Sequence, residues 1–130
     1  MNRGKIKVFD PITEYPVRLS DPEHWKIVKH GMAAVVRETE GTAYHYWLKT
    51  PYTLAGKSGT AQVFNASKYD KRAYSSIPDA LRDHSLFIAF APYDNPHVAI
   101  AVMIEHDASA KPIARQVLDT YFKLYPEAST

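Results

Sequence analysis

The chemistry-bearing residues of this sequence are densest at Lys57-Ser58-Gly59-Thr60, inside the run Leu54-Ala55-Gly56-Lys57-Ser58-Gly59-Thr60-Ala61-Gln62-Val63-Phe64. A lysine ammonium at a strand edge attracts a carboxylate-bearing ligand and can assist proton movement. The hydroxyls of Ser58 and Thr60 can hydrogen-bond that carboxylate. Gly59 between them lets an extended substrate lie against the strand as an added strand would. Gly56 and Gly59, flanking Lys57-Ser58, mark a place where something approaches the backbone closely. On its own, a Lys-Ser-Gly triplet also occurs as a plain solvent-exposed strand end.

Other candidate groups give less. The histidines at 24, 30, 45, 84, 97 and 106 form no His-x-x-x-His or His-x-His pair, and there is no cysteine, so no metal site is expected and no cofactor is called for. His84 reads as a hydrogen-bonding loop group or a pocket rim, and His24 and His30 as helix-surface residues. The aromatic group Tyr44, Tyr46, Trp47 and Tyr52 reads as loop packing against the core, with a ligand platform as the other reading. Asp79 and Asp83 read as solvated. The tightest basic group, Lys68, Lys71 and Arg72, reads as a solvated loop. Sixteen Lys and Arg against fourteen Asp and Glu leave a net charge of +2, with no basic face of the kind that nucleic acid requires.

The elements that must position these residues follow from periodicity. The 130 residues, 45% hydrophobic and 23% charged, suit one folded domain. No apolar run approaches the ~18 residues that span a bilayer, and no signal-peptide pattern stands at the N-terminus. Residues 1–20, with Pro11 and Pro16, read as an extended lead-in. Ser20-Asp21-Pro22-Glu23 predicts a helix start through a Ser20–Glu23 capping box. Trp25, Val28, Met32, Val35 and Val36 then form one apolar stripe, with Gly41 as the stop, so a helix is expected within 21–41. Residues 65–84 are polar and irregular, with a short helix after Pro78.

Leu86–Ala91 and Val98–Ile104 are apolar at nearly every position, and Pro92-Tyr93-Asp94-Asn95-Pro96 between them predicts an antiparallel hairpin. Such strands are expected to be buried on both faces. A closing helix over 110–125 places Ile113, Val117, Leu118, Tyr121, Phe122 and Tyr125 on one side. The fold class is therefore α+β: helix, three-stranded antiparallel sheet over 54–104, helix. Two helices are too little cover for strands of this kind, so the chain reads as part of a larger domain.

A Lys-Thr-Gly triad is one of three motifs of penicillin-binding proteins and serine β-lactamases, and Ser58 conserves the hydroxyl of its second position. With its flanks, the sequence resembles the class B penicillin-binding proteins, above all their cell-elongation group. The resemblance runs through Asn2-Arg3-Gly4-Lys5, Glu40-Gly41-Thr42-Ala43, Ala55-Gly56-Lys57-Ser58-Gly59-Thr60-Ala61-Gln62-Val63, Arg82-Asp83-His84, Ala89-Phe90-Ala91-Pro92-Tyr93 and Asn95-Pro96.

It implies the C-terminal part of a serine DD-transpeptidase domain that cross-links peptidoglycan stem peptides, is acylated by β-lactams and uses an oxyanion hole. By position, Lys57 would contribute charge and proton handling, and Ser58 and Thr60 would bind the carboxylate. Gly59 would let substrate approach, and Gln62 would line the site. The backbone N–H of Thr60, with Ala61 the alternative, would be an oxyanion donor. The parent would be anchored in the inner membrane with this domain in the periplasm.

The sequence departs from that family in one respect. Its eight serines include none followed by Lys three residues on or by Asn two residues on, so the nucleophile and its partner motif are absent. Truncation is the simplest account, and the chain alone is then expected to be inactive. The family sheet has five strands, so Val98–Ile104 is expected to show an open apolar edge. The rest of the domain or a swapped copy would fill it. The other reading is a non-catalytic α+β module that captures peptide C-termini on a strand edge; a β-lactamase fragment is disfavoured by the Asn95-Pro96 hairpin and the class B-like flanks.

Overall fold

Three strands and two helices make up the computed structural model, which describes residues 17–63, 77–107 and 110–129. The lead-in before residue 17 (with Asn2-Arg3-Gly4-Lys5), and residues 65–76 of the polar stretch (with Lys68, Lys71 and Arg72), lie outside the described residues. After Pro78 there is a single 3-10 turn, Asp79–Leu81.

Helix α1 spans Glu23–Arg37. Its start differs from the expected capping box: the Glu23 N–H donates to Asp21 Oδ1 at 2.8 Å, and Ser20 is not the cap. Pro22 already has helical dihedrals, φ −59° and ψ −25°, so the short carboxylate just before it is best placed to reach the next free N–H. The helix ends where Glu38 turns extended, ψ 144°. Gly41 follows three residues later, and a Cβ there would collide with the carbonyl oxygens of Ala34 and Val35. Gly41 therefore permits a close approach behind the last turn.

Strands β1 (Ala55–Ala61), β2 (His84–Ala91) and β3 (Val98–Ile104) form one antiparallel sheet in the order β1-β2-β3. Ser58 pairs with Phe87 and Phe87 with Val102 across it. Helix α2 (Ala110–Leu124) packs on the face that carries Phe87, Ala89, Ala91, Ile100 and Val102, burying Ala110, Ala114, Leu118 and Phe122. Full burial of Phe87 and of Leu118 contributes about 1.5–3 kcal/mol each.

Three core expectations are corrected. Of the expected α1 stripe, Val36 is buried and Val35 packs on the core, but Trp25 and Val28 are about half exposed, and Ala33 is buried in their place. On α2 the seated row is Ala110, Ala114, Leu118 and Phe122, while Ile113, Val117 and Tyr125 flank it outward. Alanines let the helix axis approach the sheet, which periodicity counted on large side chains overlooks. The strands, finally, are fully covered on one face only: on the other, α1 covers the β1 end, where Ala55 is buried and Lys29 stands over the Phe90 ring, while Ile88 is 49% and Met103 57% exposed.

The loop into β1 is tied to α2. Tyr52 is buried, stacks on Phe122 with ring centroids 4.4 Å apart, and donates its hydroxyl to Asp119 Oδ1 at 2.7 Å. Arg115 Nε donates to the other Asp119 oxygen at 2.7 Å, and its Nη1 to the Tyr46 carbonyl at 2.7 Å. Burial, then the Asp119 carboxylate, push the Tyr52 phenol well above the ordinary tyrosine range.

Two outcomes are expected. A Cβ on Gly56 would stand 2.6 Å from the Phe87 ring and 3.0 Å from the Ile88 carbonyl oxygen, so Gly56→Ala should lower unfolding stability by about 1–3 kcal/mol in denaturant titration. A phenol with a raised folded pKa contributes stability that is complete below the unfolded value, about 10, and is lost as pH rises through the folded value. Tyr52→Phe should accordingly cost about 0.5–1.5 kcal/mol at neutral pH and flatten the alkaline loss of stability in pH-dependent melting.

Candidate functional site

β1 has one hydrogen-bonded neighbour, β2, among the described residues, so its other edge is open for an added strand. The alternation of a strand sorts its residues by face. Ser58 and Thr60 stand with Phe87 and Ser85, toward α2, whereas Lys57 and Gly59 stand with Ile88 and Leu86 on the other face. The two hydroxyls are thus side by side, and the ammonium leaves from the opposite face.

Lys57 is exposed, and its Nζ donates to the Ser58 carbonyl at 2.6 Å. Ser58 Oγ lies 2.9 Å from Thr42 Oγ1. Thr42 follows the Gly41 close approach, and Ala43, beyond it, donates its N–H to the Val35 carbonyl at 3.0 Å. The end of α1 therefore delivers a third hydroxyl to the strand. Sequence reasoning met Thr42 only as part of the Glu40-Gly41-Thr42-Ala43 segment and gave it no place in the site. Gln62 lies just past β1 and is exposed.

A cavity of about 380 Å³ is lined by Ser58, Gly59 and Thr60 with Thr42, Asp83, His84, Ser85, Asp107 and Lys111. His84 is the first residue of β2 and not a loop residue; it lines this cavity, and its Nδ1 accepts the His106 N–H at 3.0 Å. His106 sits against it edge-to-face, with centroids 4.6 Å apart, and its Nδ1 meets the Arg82 carbonyl at 3.0 Å. The aromatic group divides: Trp47 is buried and stacks on Phe87 at 4.8 Å, Tyr52 is buried, and Tyr46 is 39% exposed. Among the described residues no group of three His, Asp or Glu could hold a metal ion, and no helix is long and apolar enough to cross a membrane.

An edge strand with Lys-Ser-Gly-Thr, backed by a hairpin and a C-terminal helix, is a partial α+β transpeptidase fold. The chain matches the penicillin binding protein transpeptidase domain over residues 12–120 and belongs to that family. It is 40% identical to the peptidoglycan D,D-transpeptidase MrdA of Salmonella typhimurium over 121 residues, covering 88% of this chain and 19% of that protein. The MrdA of Escherichia coli K12 is likewise 40% identical over 109 residues, covering 82% of this chain and 17% of that protein.

Among solved structures, penicillin-binding protein 2 of Pseudomonas aeruginosa, in complex with WCK 5153, superposes with a TM-score of 0.67 at 37% identity. It covers 88% of this chain and 23% of that one. The chain spans about a fifth of the length of the relatives it matches.

Thr42→Val removes the neighbour of the Ser58 hydroxyl. Because the pair is exposed, it should cost less than about 1 kcal/mol in denaturant titration while shifting the backbone amide resonance of Ser58 or Gly59.

Proposed function

We propose that this chain supplies the substrate-binding strand of a peptidoglycan D,D-transpeptidase. The observation that carries the reading is the pairing of Ser58 and Thr60 on one face of an open-edged strand, with Lys57 on the other, in a chain of this family. The two hydroxyls hold the C-terminal carboxylate of a stem peptide or β-lactam. The peptide lies along β1, and Gly59 leaves room beside Lys57. The Thr60 N–H is an oxyanion donor to the tetrahedral intermediate. Lys57 supplies positive charge and handles protons near the reacting carbonyl. Gln62 borders the site.

The nucleophilic serine comes from another segment of the transpeptidase domain, because none of the eight serines here is followed by Lys at the third position. That serine adds to the carbonyl; with a stem peptide the terminal amine departs with a proton and the acyl group then passes to an acceptor amine, whereas a β-lactam nitrogen takes the proton but stays tethered to the acyl group through the opened ring. The exposed apolar residues Ile88 and Met103, and a β3 edge without a partner strand among the described residues, support cover by the rest of that domain or by a swapped copy. In this reading the whole protein works on the periplasmic face of the inner membrane, and the chain alone does not turn over substrate.

The test is intact mass after incubation with a penicillin, for the chain alone and for the chain mixed with a transpeptidase segment carrying Ser-x-x-Lys. The expected result is no adduct alone and an adduct on the partner segment in the mixture. A stable adduct on this chain alone places the nucleophile among its own serines. No adduct in either case favours a non-catalytic module that captures peptide C-termini.

A further inference from the structure

A carboxylate seated between Ser58 and Thr60 meets two neutral donors, and the nearest motif cation is badly placed to neutralise it. Lys57 projects from the opposite face of β1, and its ammonium donates to the Ser58 carbonyl at 2.6 Å. The lysine that does share the cavity with both hydroxyls is Lys111, in the first turn of α2.

Its position is fixed from two sides. The Ala110 N–H reaches Ser85 Oγ at 3.4 Å, which seats the start of α2 on β2, the strand paired with β1. The Lys111 ammonium stands 5.5 Å from the Tyr46 ring centroid, and Tyr46 is held to α2 through its carbonyl and Arg115. Among the described residues Lys111 makes no ion pair, so its charge is available to a ligand.

Two carboxylates, Asp83 and Asp107, line the same cavity, and neither is ion-paired with Lys111. Asp83 accepts the N–H of Val63, beyond the end of β1, at 3.4 Å. Asp107 follows His106, which is bound to the Arg82 carbonyl and to His84. Ser58 is joined to Thr42, two residues before the turn that carries Tyr46. Asp107 stands four residues before Lys111, so the cavity holds two acids and one lysine, and Lys111 is the cation it places with the Ser58 and Thr60 hydroxyls.

We infer that Lys111 is a specificity-determining cation that selects a ligand's terminal carboxylate at the Ser58–Thr60 pair. The inference rests on the reading of β1 as a carboxylate-binding strand and assigns the charge selection to a residue outside the Lys-Ser-Gly motif. Lys57 is then left free for the reacting end of the ligand.

The experiment is a nuclear magnetic resonance titration of the full chain with acetyl-D-alanyl-D-alanine and, separately, with its C-terminal amide. Saturable shifts at the Ser58, Gly59 and Thr60 amides are expected for the acid and not for the amide. Lys111→Gln should weaken acid binding about five- to tenfold, the size of one charge-assisted hydrogen bond. Lys111→Arg should retain most of the affinity, and Lys123→Gln, in the last turn of α2, should leave it within about twofold. Raising the salt concentration should bring the native chain toward the Lys111→Gln affinity, which a purely structural role would not do.

Unchanged affinity in Lys111→Gln, with loss in the Ser58→Ala/Thr60→Val double variant, overturns the role of Lys111 and keeps the strand reading. Equal binding of acid and amide, or no saturable shift in the native chain, overturns both.

Discussion

Phe87 occupies the centre of the middle strand, where the fold and the candidate site share one set of atoms. Its side chain is fully buried, its ring stacks on Trp47, and its edge fills the space left by the missing side chain of Gly56. Its backbone pairs with Ser58 on one side and Val102 on the other. A strand's faces alternate strictly, so burying Phe87 against α2 commits Ser58 and Thr60 to that same face and sends Lys57 to the other. A slip of one residue would exchange the hydroxyls for the ammonium.

The loops serve that arrangement. The segment from Gly41 to Leu54 carries Thr42 to the strand, lays Trp47 on Phe87 and anchors Tyr52 to Asp119. Arg115 ties the same carboxylate to the Tyr46 carbonyl, so α2 and this loop share one hydrogen-bonded joint. The joint is partly buried, where such bonds are worth more than at the surface. A polar cavity bounded by a strand, a helix start and a loop can hold its shape only if those three are tied together, and here they are.

The opposite face of the sheet has the reverse character. Ile88 and Met103 are apolar and exposed, and β3 has no second neighbour among the described residues. Large apolar side chains grouped on one face mark a surface built to be covered. The molecule thus has one side closed by α2 and another that α1 covers only toward β1, where Ala55 is buried, leaving Ile88 and Met103 bare.

The α+β class, the three strands, the hairpin turn and the Lys-Ser-Gly-Thr segment were legible in the sequence, because each rests on local signals: alternation, proline and asparagine in a turn, and a hydroxyl-glycine-hydroxyl pattern. Membership of the transpeptidase family was legible for a related reason, since a series of short motifs in order carries more information than any one of them. The helix faces were misjudged at Trp25, Val28, Ile113 and Val117 because large apolar side chains were counted while the alanines that let helices approach a sheet were not. That Thr42 and Lys111 belong to the site was invisible, since they stand 16 residues before and 53 residues after Ser58 in sequence. Only the pairing register and the seating of α2 bring them to one cavity, because contact between residues so far apart is decided by how the elements pack and not by the pattern within any of them.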